Sequence, residues 1–294
     1  MIVLAHVLAS ALVRVVPPRL AYAVVSACMP WVLVAAPGFF RRARANMRQV
    51  LGAGASEAAV SAATLRSFQN YAKYMVDLLR LPSLSHEAIL RTVEIHGWER
   101  VEDAFRMGAG VIFTTGHLGN WDMAAVTFVA RSKRPVNVLV DTLKPPAWDQ
   151  RVQGIRQRAG MNAIRVETGV RDIIAALRRK EGLAVLVDRP VGEDGVTVQF
   201  FGAPVRVPGG AAVLALRTGS PILPLAVVRK PDGIRYDAVV LEPIDTRGRG
   251  HSPAEVQALT QQAIAGLETL VRRYPEQWYM FRRMWQTQAP PGGA

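Results

Sequence analysis

Short apolar runs rich in β-branched residues alternate with helical stretches through much of this chain. The apolar runs cover residues 111–115, 136–141, 183–188, 222–228 and 236–241. Helical patterns occur at residues 120–131, 148–159, 170–180, 209–218 and 253–273. Apolar strands separated by helices are typical of a parallel sheet covered on both faces. The sequence therefore predicts an α/β fold with a mainly parallel central sheet flanked by helices.

The N-terminal part has a different composition. No Asp or Glu precedes Glu57, and residues 20–40 are 21 consecutive uncharged residues. A bilayer span needs about 20 residues, but Pro30 and Pro37 interrupt this stretch. Three interpretations stay open: a helix in the membrane interface followed by a basic stripe, a single span, and a buried core helix. A cleaved signal peptide fits poorly, because no charged region precedes the first apolar run.

The net charge of +13 comes mainly from arginine. Such a charge suits anionic lipid, acyl-CoA phosphates, an acidic carrier protein or nucleic acid. Nucleic acid is not expected as a partner, because the sequence has no zinc-finger spacing, aromatic RNA-binding signature or lysine-rich tail. A single cysteine, Cys28, excludes an internal disulfide. We find no metal-ligand spacing and therefore predict chemistry without a metal or cofactor.

The chemically richest stretch is residues 116–122, GHLGNWD, which follows the first apolar run. Asn120 is a natural helix N-cap, and an acid just after it is favoured by the helix dipole. Five positions on one helix place side chains about 140° apart. His117 and Asp122 therefore converge only if the histidine lies in the turn. A carboxylate-held imidazole is suited to act as a general base, although an isolated pair of this kind is more often structural.

A second acid, Asp188, ends the run at residues 183–188 and is followed by Arg189. Sites in parallel sheets gather at the carboxyl ends of strands, where His117 is also predicted. The two strand ends are therefore expected to face one cleft. The alternative is an Asp-Arg pair that merely closes a strand.

Residues 116–122 resemble the His-x4-Asp/Glu block of the bacterial lipid A biosynthesis acyltransferases. This family includes lauroyl and myristoyl transferases and related phosphatidylinositol mannoside acyltransferases. Further blocks are similar in the same order, at residues 155–161, 187–192, 196–202, 219–224 and 275–285. The resemblance runs from about residue 41 to residue 285. The acid at the fifth position is Asp rather than the Glu common in lipid A enzymes, which favours the mannoside relatives.

The resemblance implies that residues 41–286 form an acyltransferase domain. It implies transfer of a fatty acyl chain from acyl-CoA or acyl-carrier protein to a hydroxyl of a glycolipid, of the lipid A precursor or phosphatidylinositol mannoside type. His117 is the expected general base and Asp122 the acid that orients it. Asp188 is expected in the same active site, assisting the base or orienting the acceptor.

Four further residues are expected to bind substrate. Asn120 or Arg156 is expected to steady the tetrahedral oxyanion, and Arg189 a phosphate or the thioester end of the donor. Arg156 is favoured over Arg158 for the functional arginine of its block. Arginine late in a helix is also explained by the helix dipole alone.

The expected location is the cytoplasmic face of the plasma (inner) membrane, peripheral or single-pass. The arginines from Arg41 onward keep the catalytic part cytoplasmic. Residues 1–40 are predicted to be a membrane-associating helical segment and residues 287–294 a disordered tail. The alternative functions are an acyl-thioester hydrolase, a non-catalytic membrane lipid-binding protein of the same fold, and a glycerophospholipid acyltransferase.

Overall fold

The computed structural model describes residue 13 and residues 15–165, 169–189, 191–192 and 195–285. The predicted tail at residues 287–294 and most of the first 14 residues lie outside the described part. The described helices, in chain order, are α1 (Pro18–Ala35), α2 (Pro37–Leu51), α3 (Glu57–Arg80), α4 (His86–Thr92), α5 (Trp98–Arg106), α6 (Trp121–Ser132), α7 (Pro146–Arg158), α8 (Val170–Arg178), α9 (Gly210–Thr218) and α10 (Pro253–Arg273). The strands are β1 (Val93–His96), β2 (Val111–Thr115), β3 (Val136–Val140), β4 (Met161–Arg165), β5 (Gly182–Leu186), β6 (Val196–Phe200), β7 (Ala203–Val207), β8 (Ile222–Arg229) and β9 (Tyr236–Val240).

Seven strands form the central sheet in the order β1-β9-β8-β2-β5-β3-β4. All neighbours in this sheet are parallel except β8 and β9, and β6 pairs with β7 as a separate antiparallel hairpin. The five residues of β2 are all buried, as a central parallel strand covered on both faces requires. The predicted α/β fold is confirmed.

Helices cover both faces of this sheet. Buried residues of α8, α9 and α10 pack on one face together with the β6–β7 hairpin. Helices α3 to α7 pack on the other face. The apolar side chains of β2 point alternately to the two layers, Ile112 to the first and Phe113 to the second. The residues that follow β2 and β5 are therefore held between two packed layers.

The apolar runs predicted five strands at nearly their observed positions, but four strands are missing from the prediction. Two of these, β1 and β4, lie at the sheet edges, and each buries only its first residue, Val93 or Met161. An edge strand with one buried residue carries no apolar run, so its periodicity is weak. The other two form the β6–β7 hairpin outside the central sheet.

The apolar N-terminal stretch is divided between two helices: α1 ends at Ala35 and α2 begins at Pro37. By length and composition α1 is able to cross a membrane. It buries only three side chains, those of Ala21, Tyr22 and Leu33, which pack beside residues of α3. The interpretation of this stretch as a buried core helix is therefore wrong.

Candidate active site

The loop after β2 and the end of β5 bring His117 and Asp188 together. The two strands are parallel neighbours, and Thr115 pairs with Leu186 at their last positions. Two residues further along each chain, His117 Nδ1 lies 2.8 Å from Asp188 Oδ1. The sequence-based expectation that these two strand ends face each other is met in the structure.

A glycine makes this approach possible. A Cβ on Gly116 would lie 2.6 Å from Asp188 Oδ2 and 2.9 Å from Leu267 Cδ1. Real Cβ atoms do not approach other atoms so closely, so a larger residue would displace the carboxylate. Gly116 is therefore required by the position of Asp188.

The Asp188 carboxylate is fully buried and accepts three hydrogen bonds. The His117 backbone N–H and the Trp278 indole N–H donate to Oδ2, each at 2.8 Å, and the His117 ring bonds Oδ1. Burial by itself raises the pKa of Asp188, but the interactions with His117 and Trp278 outweigh it and the net pKa is lowered. Asp188 is therefore held as a carboxylate in the protein interior.

This pairing sets what the imidazole is able to do. A proton on Nδ1, shared with Asp188, leaves the lone pair of Nε2 available. The His117 side chain is 33% exposed while Asp188 is not exposed at all, so the free edge of the ring faces accessible space. A positioned imidazole with a buried carboxylate behind it has the geometry of a general base.

Asp122 does not hold His117, contrary to the His-x4-Asp expectation. Its Oδ1 accepts from Arg156 Nε at 2.7 Å, and its Oδ2 accepts from the Tyr74 hydroxyl at 2.7 Å. Asp122 lies in the first turn of α6, as predicted, but its buried side chain is turned toward α3 and α7. Both Asp122 oxygens are bound there, and the carboxylate that holds His117 Nδ1 is Asp188.

Asn120 caps α6, also as predicted, but its amide is not available as an oxyanion donor. Its side-chain oxygen accepts from the Met123 N–H at 2.9 Å. Its amino group donates to the Tyr236 hydroxyl at 3.2 Å and to Asp77 at 3.4 Å. Asn120 is 3% exposed. It therefore fixes the loop that carries His117.

Asp77 is the centre of a buried polar cluster, which we call the Asp77 cluster. Besides Asn120, its carboxylate accepts hydrogen bonds from Tyr22, Tyr236 and Arg229. These donors come from α1, β9 and β8. The Asp77 cluster thus joins the N-terminal helix to the cap of α6, and no local motif in the sequence predicted it.

The three candidate arginines lie in different environments. The Arg156 side chain is 14% exposed and paired with Asp122, whereas Arg158 is exposed, which agrees with the preference for Arg156. Arg156 donates to Asp122 from Nε and Nη2, so these two groups are used in holding α6. Arg189 forms an ion pair with Asp141 just beyond β3, and its side chain is 41% exposed.

An apolar cavity lies between α6 and the sheet. It encloses about 580 Å³, part of which is open to solvent. Thr115 and Leu186, the last residues of β2 and β5, line it, and it extends along β3 from Val140 to Val136. Four residue steps of about 3.3 Å give this stretch a length of about 13 Å. The cavity therefore begins near the carboxyl ends of β2 and β5, which His117 and Asp188 follow, and runs toward the amino ends of the strands.

Two donor groups in the cavity wall have no hydrogen-bond partner within the described part of the chain. They are Thr115 Oγ1 and Trp121 Nε1, and both atoms are buried. The Trp121 ring centroid lies 5.5 Å from that of His117. Buried donors are normally paired, so two unpaired ones beside His117 suit the carbonyl oxygen of a ligand. The sequence analysis did not identify either residue.

One group of side chains in the described residues has the composition of a metal site: Glu94, His96 and Asp237. The His96 ring lies 3.0 Å from Asp237 and 3.6 Å from Glu94. The Lys230 ammonium already neutralises the same two carboxylates, contacting Glu94 and lying 3.1 Å from Asp237. This cluster on the sheet-edge strands is explained by its own ion pairs.

Several known proteins are similar to this chain over most of its length. A sequence model described as bacterial lipid A biosynthesis acyltransferase matches residues 1–287. A phosphatidylinositol mannoside acyltransferase from Mycolicibacterium smegmatis is 27% identical over 279 residues, 93% of this chain and 88% of the relative. Phosphatidylinositol mannoside acyltransferases from two strains of Mycobacterium tuberculosis are 28% identical over 248 residues, 82% of this chain and 76% of each relative.

Proposed function

This chain belongs to the bacterial lipid A biosynthesis acyltransferase family, and we propose that it moves a fatty acyl chain from a thioester donor to a hydroxyl of a glycolipid. The donor is acyl-CoA or acyl-carrier protein. The similarity to phosphatidylinositol mannoside acyltransferases supports an acceptor of that type, with a lipid A precursor as the other member of the class. The observation that carries the proposal is the His117–Asp188 pair at the end of an apolar cavity.

In the proposed reaction, Nε2 of His117 takes the proton of the acceptor hydroxyl. The oxygen attacks the thioester carbonyl carbon, and a C–O bond forms as the carbonyl becomes a tetrahedral oxyanion. The oxyanion collapses, the C–S bond breaks, and the leaving thiolate takes the proton from the imidazolium. Asp188 stabilises the imidazolium between the two proton transfers. A positioned general base contributes about 10²- to 10⁴-fold to the rate.

The oxyanion needs hydrogen-bond donors that are not already used. Thr115 Oγ1 and Trp121 Nε1 support this role, because both are buried, unpaired within the described residues and in the cavity wall. Asn120 and Arg156, the earlier candidates, instead position the loop and α6 through their bonds to the Asp77 cluster and Asp122. Preorganised donors of this kind are worth about 10²- to 10³-fold each.

A basic region suits the anionic part of a substrate. Arg189 follows β5, and burial and the positive charge of Arg282 both lower the pKa of its guanidinium. Two arginines in this position favour a phosphate of the donor or of the acceptor headgroup. Arg158, which is exposed on α7, is the weaker candidate for the same role.

The proposed location is the cytoplasmic face of the inner membrane, with α1 lying in the interface. Large apolar side chains of α1 are exposed: Leu20, Val24, Trp31, Val32 and Val34. Arg41 and Arg42 follow on the exposed side of α2. An exposed apolar face beside cations is typical of interfacial helices. The bond from Tyr22 to buried Asp77 favours a peripheral helix over a single span, because it ties α1 to the catalytic domain.

The test is acyl transfer by purified protein in detergent. Radiolabelled palmitoyl-CoA or palmitoyl-carrier protein is incubated with phosphatidylinositol mannoside, with a lipid A precursor, with a glycerophosphate acceptor, or without acceptor. His117→Ala is compared with His86→Ala, a matched change at an exposed histidine outside the site.

Labelled glycolipid that disappears only with His117→Ala supports the proposal. Acceptor-independent release of free acid identifies a thioester hydrolase. Label in a glycerophosphate acceptor, but in neither glycolipid, identifies a glycerophospholipid acyltransferase. A folded sample that turns over neither donor is a lipid-binding protein.

A further inference from the structure

A second apolar cavity adjoins the first on the same face of the sheet. It contains about 360 Å³ of space, part of which is open to solvent, between α5, α6 and the strands β8, β9 and β1. Val101 of α5 and Phe128 of α6 line it, and neither lines the first cavity. The two cavities therefore lie side by side under α6.

Three residues line both cavities: Phe113, Ala124 and Leu225. Ala124 presents only a methyl group, so the larger side chains of Phe113 and Leu225 supply most of the wall between the cavities. Phe113 is 5% exposed and belongs to the middle of β2. The separation therefore depends mainly on one aromatic ring and one leucine.

Neighbouring side chains hold the Phe113 ring in place. It packs against Phe128 and Phe105, with ring centroids 4.8 and 6.3 Å apart. The ring also lies close to Gly182, where an added Cβ would be 2.8 Å from Phe113 Cε2. The ring is thus fixed by two aromatic contacts and fits against a glycine, so it is a rigid wall and not a mobile gate.

We propose that Phe113 closes the acyl-binding cavity and sets the longest acyl chain that the protein accepts. The proposal rests on the proposed acyl transfer, in which the acyl chain enters the first cavity from the His117 end. Along β3 the first cavity ends at Val136, and on the side of α5 the Phe113 ring separates it from the second cavity. Removing the ring joins the two cavities and gives longer chains room to continue under α6.

The expected effect follows from the burial of added methylene groups. Each methylene that moves from water into apolar surroundings favours binding by about fourfold. Two additional buried methylenes therefore raise the preference for the longer chain by about tenfold or more. A larger side chain in the wall of the first cavity is expected to shift the preference toward shorter acyl chains. Ala184 lines only that cavity and pairs with Phe113 across β2 and β5.

The experiment measures kcat/KM for lauroyl-, palmitoyl-, stearoyl- and arachidoyl-CoA. Phe113→Leu and Phe113→Ala are expected to move the optimum to longer chains in that order, and Ala184→Leu to shorter ones. Val101→Ala, which enlarges only the second cavity, is the control and is expected to keep the wild-type profile. Thermal unfolding verifies that each variant is folded. If Phe113→Ala does not fold, Phe113→Leu and Ala184→Leu decide the outcome.

The same variants are also made with His117→Ala, and equilibrium binding of the free fatty acids of these four lengths is measured. A shifted length profile in binding, with no acyl transfer by the wild type, overturns the proposed function and leaves the role of Phe113 standing. Transfer by the wild type, with an unchanged length profile in folded Phe113 and Ala184 variants, overturns the role of Phe113 alone. An unchanged binding profile without transfer overturns both.

Discussion

Asp188 accepts two hydrogen bonds from the same residue, His117, one from the backbone N–H and one from the ring, both at 2.8 Å. A carboxylate bound in this way fixes the loop and the ring together. Trp278 donates a third bond from the C-terminal aromatic block. His117 is thus oriented by Asp188, which follows β5, and through it by Trp278 near the far end of the chain, and not by Asp122, its neighbour in the sequence motif.

Asp188→Asn is expected to lower kcat by about 10²- to 10⁴-fold, because the neutral amide no longer stabilises the imidazolium and favours the wrong tautomer. Acyl transfer is measured beside circular dichroism to verify the fold. The matched comparison is Asp122→Asn, which leaves the bond from Asp188 to His117 in place. A folded Asp122→Asn protein that loses more activity than Asp188→Asn would refute the assignment of Asp188.

Gly116→Ala is expected to inactivate the protein and to destabilise it by about 1–3 kcal/mol. The added methyl would lie 2.6 Å from Asp188 Oδ2 in a packed interior. Gly192→Ala is the control, because a Cβ at that position meets nothing within 4 Å. Urea denaturation gives the free energy of unfolding. Equal stability and activity of the two variants would contradict the close packing at Gly116.

The stability that Asp188 contributes is expected to disappear in acid. Its pKa in the folded protein is below the ordinary value of 3.8, so at low pH the unfolded chain binds the proton more readily. The contribution is therefore complete above about pH 5 and is lost as the pH falls through the folded pKa. The free energy of unfolding is measured for wild type and Asp188→Asn over this range. The difference in the free energy of unfolding between the two proteins should decrease as the pH falls. A constant difference would contradict the lowered pKa of Asp188.

Arg156→Met is expected to destabilise the protein by about 3–5 kcal/mol, because it leaves the buried carboxylate of Asp122 without its cation. The control is Arg179→Met, which breaks an ion pair with Glu181 in which the arginine side chain is 60% exposed. Exposed pairs contribute about 0–1 kcal/mol. Thermal and urea unfolding measure both. Similar losses in the two variants would show that the pair of Asp122 and Arg156 is not desolvated.

Trp31→Glu is expected to reduce binding to anionic vesicles by about tenfold or more. It places a charge on the exposed apolar face of α1, where the Trp31 side chain is 78% exposed, and burial of that face drives the proposed adsorption. Val170→Glu on α8 is the control for an added charge at another exposed apolar residue. Co-sedimentation with vesicles of phosphatidylglycerol and phosphatidylcholine measures the fraction of protein bound to the membrane. Unchanged binding by Trp31→Glu would remove α1 from the membrane contact.

The sequence predicted the layered α/β fold because central parallel strands bury both faces and therefore appear as apolar runs. Edge strands such as β4 bury too little to be detected in this way. The sequence motif singled out His117, but spacing along the chain favoured Asp122 as the carboxylate bound to its ring. The true partner is set by the register of β2 beside β5, and Asp188 stands out only once the two strands are known to be neighbours.

The cavity and its polar atoms could not be predicted either, because they too depend on which elements are neighbours in the fold. Thr115 precedes the motif and Trp121 lies within it, yet their unpaired donors are recognisable only from the surrounding packing. The Asp77 cluster joins α1, α3, β8 and β9 through side chains that share no local pattern. Such long-range polar contacts depend on the complete fold.

The Asp77 cluster has a practical consequence for anyone who wants a more soluble protein. Cutting away α1 as a dispensable anchor would take the Tyr22 hydroxyl from Asp77, the carboxylate to which Asn120 donates. A protein without α1 would lose the exposed apolar face of that helix. It would also lose part of the support under the loop that carries His117. Replacing Leu20 and Val24, which point outward, by polar residues is the safer route, because the phenol that the loop depends on is left untouched.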